Sequence, residues 1–204
     1  VAASCKFSLA LSAHGDLWSW GCGGQGELGH GDTQSKLLPK KVEAFAGQRV
    51  IAVSAGVGHS LALTADGAVW SWGGGHDGQL GHGDTQSQLL PKKIEAFAGQ
   101  RVVAVSAGFD HSLTLTADGA VWSWGYGANG RLGHGDGQNR LLPKKVEALA
   151  ERRVVAVSAG YGLSIAITAD GAAWSWGLGA SGKLGHGDTQ DQLLPKKVEA
   201  LAAG

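Results

Sequence analysis

ADGAVWSWGGGHDGQLGHG, residues 65–83, decides the fold, because close variants of it recur along the chain at a fixed stride. The Trp-Ser-Trp-Gly tetrad occupies residues 18–21, 70–73, 122–125 and 174–177. Leu-Gly-His-Gly-Asp follows at 28–32, 80–84, 132–136 and 184–188, and Leu-Leu-Pro-Lys-Lys at 37–41, 89–93, 141–145 and 193–197. Every shift is 52 residues, without insertion or deletion, and residues 49–100 match 101–152 at 37 of 52 positions. A period of this length marks a repeat architecture. The repeats are 1–48, which lacks four leading residues and is the most divergent, then 49–100, 101–152 and 153–204. In the first, Ser4, Phe7 and His14 stand where the second has Gly56, His59 and Asp66. Terminal repeats are often atypical because they cap a stack.

Within one repeat the residues spell strands. RVIAVSA (49–55) is apolar and β-branched, and HSLALT (59–64) places Leu61 and Leu63 on one face. Ala-Asp-Gly at 65–67 supplies a tight turn, since Asp-Gly tolerates positive φ. AVWSW (68–72) sets Trp70 and Trp72 on one face and the small Ser71 on the other. A short fourth strand is expected after Pro91, since proline suits a first strand residue or an edge. VEALAER (146–152) admits a helix, but no segment holds a helical period over the ~12 residues a helix usually needs. Three or four short strands per unit, repeated without linkers, predict an all-β chain of β-propeller blades, each burying both faces against its neighbours. All eight tryptophans (Trp18, Trp20, Trp70, Trp72, Trp122, Trp124, Trp174, Trp176) fall in the tetrads, so they belong to the repeat core.

The balance of 17 basic and 17 acidic residues argues against a nucleic-acid partner. With no apolar run near ~18 residues, no membrane helix is expected. Cys5 and Cys22 occur only in the first repeat, where a disulfide framework would recur with the fold. They read as free thiols, which places the chain inside the cell in a reducing compartment, cytoplasm or nucleus. The loops at 21–26, 73–78, 125–130 and 177–182 spell Gly-x-Gly-x-x-Gly, yet no helix follows to hold a pyrophosphate, so they are turn glycines and no cofactor is expected. His30, His82, His134 and His186 recur in equivalent places, far apart in a propeller, and are expected to hydrogen-bond within their own loops, with no metal. His59 and His111 begin a strand, where a local hydrogen bond is expected. Nothing resembles a nucleophile or an acid–base pair, so no catalytic residue and no enzyme is expected. The Lys-Lys pairs at 40–41, 92–93, 144–145 and 196–197 read as a solvated strand edge.

The wording Gly-x-x-His-Ser-Leu-Ala-Leu-Thr-x-Asp-Gly-x-Val-Trp-Ser-Trp-Gly, followed by Gly-Gln-Leu-Gly-His-Gly-Asp and Pro-x-x-Val, resembles the repeat of the regulator of chromosome condensation family across the whole chain. Leu-Gly-His-Gly-Asp…Leu-x-Pro-x-x-Val-Glu-Ala is especially similar to the propellers of HECT-type ubiquitin ligases. The resemblance implies a seven-bladed ring of four-stranded blades, so four repeats form an incomplete propeller. The chain is therefore expected to be a piece of a longer protein, to assemble with copies of itself through its open edges and exposed blade faces, or to be an engineered or recently duplicated array. The resemblance also implies a protein partner. Three roles follow: an interaction scaffold, guanine-nucleotide exchange on a small GTPase, or substrate recruitment within a larger ubiquitin ligase. Exchange in the founding member is associated with an inserted β-wedge, and no repeat here carries an insertion. The family's ultraviolet-B photoreceptor carries chromophore tryptophans where this chain has Cys5, Val57, Phe109 and Tyr161. On a constant scaffold, the variable positions mark the binding surface: 57–58, 109–110 and 161–162; 74–77, 126–129 and 178–181; and 85–88, 137–140 and 189–192. Among them His76, Phe109, Asp110, Tyr126 and Tyr161 are the most interface-like, because aromatic residues concentrate at protein interfaces.

Overall fold

The computed structural model describes residues 1–201. It is all-β, with four antiparallel four-stranded sheets in simple up-and-down order. Blade 1 comprises β1 (Ala2–Ala3), β2 (Phe7–Leu11), β3 (Leu17–Gly21) and β4 (Lys36–Lys41). Blade 2 comprises β5 (Val50–Ala55), β6 (His59–Thr64), β7 (Val69–Gly73) and β8 (Gln88–Lys93). Blade 3 comprises β9 (Val102–Ala107), β10 (His111–Thr116), β11 (Val121–Gly125) and β12 (Arg140–Lys145). Blade 4 comprises β13 (Val154–Ala159), β14 (Leu163–Thr168), β15 (Ala173–Gly177) and β16 (Gln192–Lys197). The first strands adjoin one another, β1 on β5, β5 on β9 and β9 on β13, so they line the axis and the fourth strands lie outermost. The blades form an open arc of an incomplete propeller.

The fourth strand differs from expectation. It starts before the proline, and Pro91 lies inside β8. The ladder slips there, with Ser71 opposite Lys92 but Gly73 opposite Gln88. The bulge frees Leu89, Leu90 and Pro91 from regular pairing, a setting that proline tolerates. Residues 146–152 form no α-helix; only Glu147–Leu149 makes a single 3-10 turn.

No blade has a core of its own. Phe7, Leu9, Leu17, Leu28 and Phe45 of blade 1 form one buried cluster with Val50, Ala62 and Trp72 of blade 2. Equivalent clusters join blade 2 to Trp124 of blade 3, and blade 3 to Trp174 and Trp176 of blade 4. Trp72, Trp124 and Trp176 are fully buried, each contributing at most roughly 4–6 kcal/mol of apolar burial. Phe45 meets both Trp70 and Trp72, with ring centroids 5.5 and 5.8 Å away, and Phe97 repeats this with Trp122 and Trp124. At the third junction Leu149 takes the phenylalanine's place, and the Arg152 guanidinium stands 4.2 Å from the Trp174 ring centroid.

Polar groups register the blades. The Glu27 carbonyl of blade 1 accepts from Trp72 Nε1 and from Ser60 Oγ of blade 2, each at 2.8 Å. The Gln79 carbonyl accepts likewise from Trp124 and Ser112. The Arg131 carbonyl accepts from Ser164, while Trp176 Nε1 has no acceptor among the described residues. Gly31, Gly83 and Gly135 donate their N–H groups to Leu89, Leu141 and Leu193 of the following blade. Glycine is required beside the indole: a Cβ on Gly81, at φ +75°, would lie 2.8 Å from Trp124 Nε1.

The two sets of histidines behave differently from each other. His30, His82, His134 and His186 hydrogen-bond the tetrad serines Ser19, Ser71, Ser123 and Ser175 at 2.9–3.0 Å, so their partner is a strand and not their own loop. Each serine also donates to the carbonyl of Leu28, Leu80, Leu132 or Leu184, which pins the glycine loop to its blade. His59 and His111 are not locally bonded; their Nε2 atoms reach Ser112 and Ser164 of the next blade at 3.0 Å. Because Ser112 spends its proton on the Gln79 carbonyl, the His59 Nε2–H must donate, which fixes the neutral tautomer.

Burial holds His59 near pKa 4 and His111 near 3, against 6.5 in the unfolded chain. The unfolded state therefore binds protons that the folded state refuses. Stability from these two residues is fully present above pH 6.5 and is lost as pH falls through about 4 for His59 and about 3 for His111. Thermal melts across that range should show the midpoint falling, with a shallower fall in the double variant His59→Gln/His111→Gln. Gly99 has a positive φ like Gly81 but nothing within 4 Å of its would-be Cβ. Gly99→Ala should cost about 1–2 kcal/mol in denaturant unfolding, and Gly81→Ala at least twice as much.

Candidate functional interface

Strand alternation gathers the variable loops at one end of every blade. His59 pairs with Gly73, so the loop entering β6 and the loop leaving β7 emerge side by side. Gly74 N–H bonds the Gly58 carbonyl at 2.7 Å, and Tyr126 and Leu178 repeat this with Asp110 and Gly162 at 2.8 Å. Around the axis, Val57 N–H reaches the Phe109 carbonyl at 3.4 Å and Phe109 N–H the Gly160 carbonyl at 3.2 Å. The loops are thus tied within and between blades into one surface.

On it the side chains interlock. Phe109 and Tyr161 stack at 4.6 Å between centroids, tilted by 59°. With Cys5 and Val57 they line an apolar hollow of about 410 Å³ at the axis. Tyr161 is 66% exposed, unusual for an aromatic residue. Arg131 is buried beneath the loops, donating to the Ala128 carbonyl at 2.9 Å, the Asn129 Oδ1 at 3.3 Å and the Tyr161 carbonyl at 3.4 Å. Its guanidinium sits 4.6 Å from the Tyr126 ring centroid, a cation–π contact. Lys183 Nζ is 6.0 Å from the Tyr161 ring centroid. Asp110 is half-buried; burial and the nearby Asp77 push its pKa up, while Arg131, His76 and Lys6 pull it down. His76 is exposed on the blade 2 loop.

His76, Phe109, Asp110, Tyr126 and Tyr161 therefore come together on one face. The third variable group borders that face and links its loops. Asn139 bonds Asp77 at 3.2 Å and Asp191 bonds Asn129 at 2.7 Å, so these residues join neighbouring blades. The lysine pairs lie on the outermost strands, where Lys41 pairs with Asp16 at 2.7 Å. Cys5 is exposed and Cys22 half-buried, both free thiols. Arg131 escaped the sequence reading because it sits inside the otherwise constant Gly-x-Leu-Gly-His-Gly. Glu27, Gln79, Arg131 and Lys183 differ at that register position, which was the available signal. Among the described residues, no helix is long and apolar enough to cross a membrane.

A family model described as RCC1-like domain matches residues 1–204. The Arabidopsis thaliana ultraviolet-B receptor UVR8 is 39% identical over 203 residues, spanning 99% of this chain and 46% of the receptor. The Homo sapiens E3 ubiquitin-protein ligase HERC2 is 42% identical over 199 residues, spanning 95% of this chain and 4% of the ligase. Among solved structures, Prp20p from Saccharomyces cerevisiae superposes with a TM-score of 0.85 at 27% identity, covering 97% of this chain and 49% of that one. The chain thus spans about half the length, or far less, of these relatives.

Arg131 is one of the charges that lower the Asp110 pKa. Arg131→Ala should therefore raise that pKa further, read by carboxyl-carbon NMR titration. A downward shift would contradict the arrangement described.

Proposed function

The chain belongs to the RCC1-like domain family, and on that premise we propose that it is a non-enzymatic protein-interaction scaffold whose docking surface is the loop face around Phe109 and Tyr161. One observation carries the reading. Blades that agree at most positions differ where Phe109, Asp110, Tyr126, Tyr161 and His76 meet, and backbone hydrogen bonds tie that surface together. Exposed aromatics over a buried arginine supply rigid, amphipathic anchors of the kind that dominate interface energetics. The mixture of Asp110, Asp77, Arg131 and Lys183 suits a partner of mixed charge, so neither a polyanion nor a polycation is favoured. The aromatic positions facing the axis hold Val57, Phe109 and Tyr161 and no tryptophan, which does not favour light sensing.

A second reading, guanine-nucleotide exchange on a small GTPase, draws on the likeness to Prp20p, a protein described by its binding to Gsp1p and histones. The uniform 52-residue stride, with no inserted element, favours the scaffold. Substrate recruitment for a ubiquitin ligase, suggested by the likeness to HERC2, would be one use of the same scaffold.

The test compares proteins captured from extract by the chain and by Phe109→Ser/Tyr161→Ser, followed by a binding measurement on the purified partner. Affinity should drop at least about tenfold, the loss expected when a hot-spot anchor is removed, while Leu90→Ala leaves it unchanged. Equal affinity in both variants would reject the docking face. Accelerated release of GDP from Gsp1p on adding the chain would favour exchange instead.

A further inference from the structure

We propose that Arg131 is an anion-binding centre within the loop face, taking the carboxylate of an aspartate or glutamate on a docked protein. This deepens the function proposed above and rests on that reading. Arg131 is only 5% exposed. A buried charge is costly unless it is paired, yet Arg131 makes no ion pair with any described residue. Of its five N–H donors three are used, all on neutral oxygens. Nε donates to the Ala128 carbonyl, Nη1 to the Tyr161 carbonyl and Nη2 to Asn129 Oδ1. The last two bonds, at 3.4 and 3.3 Å, are long. One donor on each terminal nitrogen is left over, and two donors are what a carboxylate takes in a bidentate pair.

The fold does not require a cation here. Glu27 and Gln79 hold this position in blades 1 and 2, and each accepts an N–H from its own loop, from Gln25 at 2.7 Å and from Asp77 at 2.9 Å. A guanidinium cannot accept, and that of Arg131 is directed at blade 4. A Cβ built on Gly162 of that blade would lie 3.5 Å from Nη2 and 3.3 Å from Leu178 Cβ. Gly162 is not in the left-handed region, so its backbone does not demand glycine. Blade 4 therefore offers the arginine no side chain at a point where a carboxylate would reach it. These groups all lie between two packed blades, 3 and 4, and the site uses neither end of the arc.

Neighbouring charges set the ligand class. Asp110 and Asp77 are near enough to support the Arg131 charge against its burial. They would repel a phosphate, with its charge of about −2, more than a carboxylate of single charge. The Tyr126 ring and Leu178 add apolar surface for the methylenes of an acidic side chain.

The first arm of the experiment titrates 15N-labelled chain at pH 7 with sodium acetate and, at matched ionic strength, with sodium chloride and sodium phosphate. The Gly162 amide and the Arg131 Nε–H should shift saturably with acetate, and not with chloride. Arg131→Gln, which copies Gln79, should abolish that saturation. Gly162→Asp, which supplies a carboxylate from the chain itself, should abolish it too, and this second variant keeps the test decisive if the first loses its near-ultraviolet circular dichroism. In the second arm, Gly162→Asp should be more favourable to the thermal midpoint by about 3 °C in the presence of Arg131 than in Arg131→Gln. A response to acetate that is linear, equals that to chloride or survives Arg131→Gln overturns the proposal, as does an equal effect of Gly162→Asp in both backgrounds. Stronger saturation by phosphate overturns the choice of carboxylate.

The partner purified in the docking test separates this proposal from the reading beneath it. Arg131→Gln should weaken its binding about tenfold. Full affinity in Arg131→Gln overturns the role of the site in docking. Lost affinity in Arg131→Gln, with none lost in Phe109→Ser/Tyr161→Ser, overturns the aromatic docking face and leaves the anion site standing.

Discussion

One backbone carbonyl per junction organises this molecule. The carbonyls of Glu27 and Gln79 each take an indole N–H and a serine hydroxyl from the following blade. At the first two junctions the indole is satisfied because the tryptophan approaches the loop's main chain closely, whereas Trp176 Nε1 finds no acceptor among the described residues. Any Cβ at Gly29 or Gly81 would obstruct that approach, since it would fall 2.9 or 2.8 Å from Nε1 of Trp72 or Trp124. The glycine loop, the tetrad and the bulged Leu-Leu-Pro segment are parts of this single contact. That is why they recur together at one stride.

Because each hydrophobic cluster straddles two blades, no blade is stable through its own contacts. Stability is a sum of nearest-neighbour terms, as in other repeat proteins. A central strand such as β6 is buried on both faces only because a blade stands on either side. The same logic leaves β14 and Trp18 partly bare at the ends of the arc. Neutral histidines cross two of the junctions, so those junctions are sensitive to acid in a way the first one, with Phe7, is not.

Scaffold and surface use different residues. The eight tryptophans, the most conspicuous feature of the composition, serve packing, and Trp72, Trp124 and Trp176 are wholly inaccessible. The loop face carries instead Phe109, Tyr126 and Tyr161, at positions that differ from blade to blade. Constant junctions hold the loops still, and the loops are then free to vary in chemistry without any loss of position.

The sequence by itself determined the blade count and the first three strands of a full blade, and it placed the tryptophans in the repeat without separating the buried Trp72, Trp124 and Trp176 from the exposed Trp18. Those follow from local rules: period-2 alternation, Asp-Gly turns and an unbroken 52-residue stride. It also singled out His76, Phe109, Asp110, Tyr126 and Tyr161, since variation against a constant background is visible without coordinates. Only the tertiary structure decided that those five share one face, because that depends on which ends of adjacent strands the twist brings together. It alone revealed that His59 and His111 bond the next blade, that Arg131 underlies the aromatic surface, and that Pro91 sits in a bulge. Each of those is a contact between residues about 30 or more positions apart, or a ladder slip fixed by the neighbouring blade. A stride repeated along the chain states what each unit is made of, but the pairing of one unit's side chains with the next unit's backbone exists only once the blades are packed.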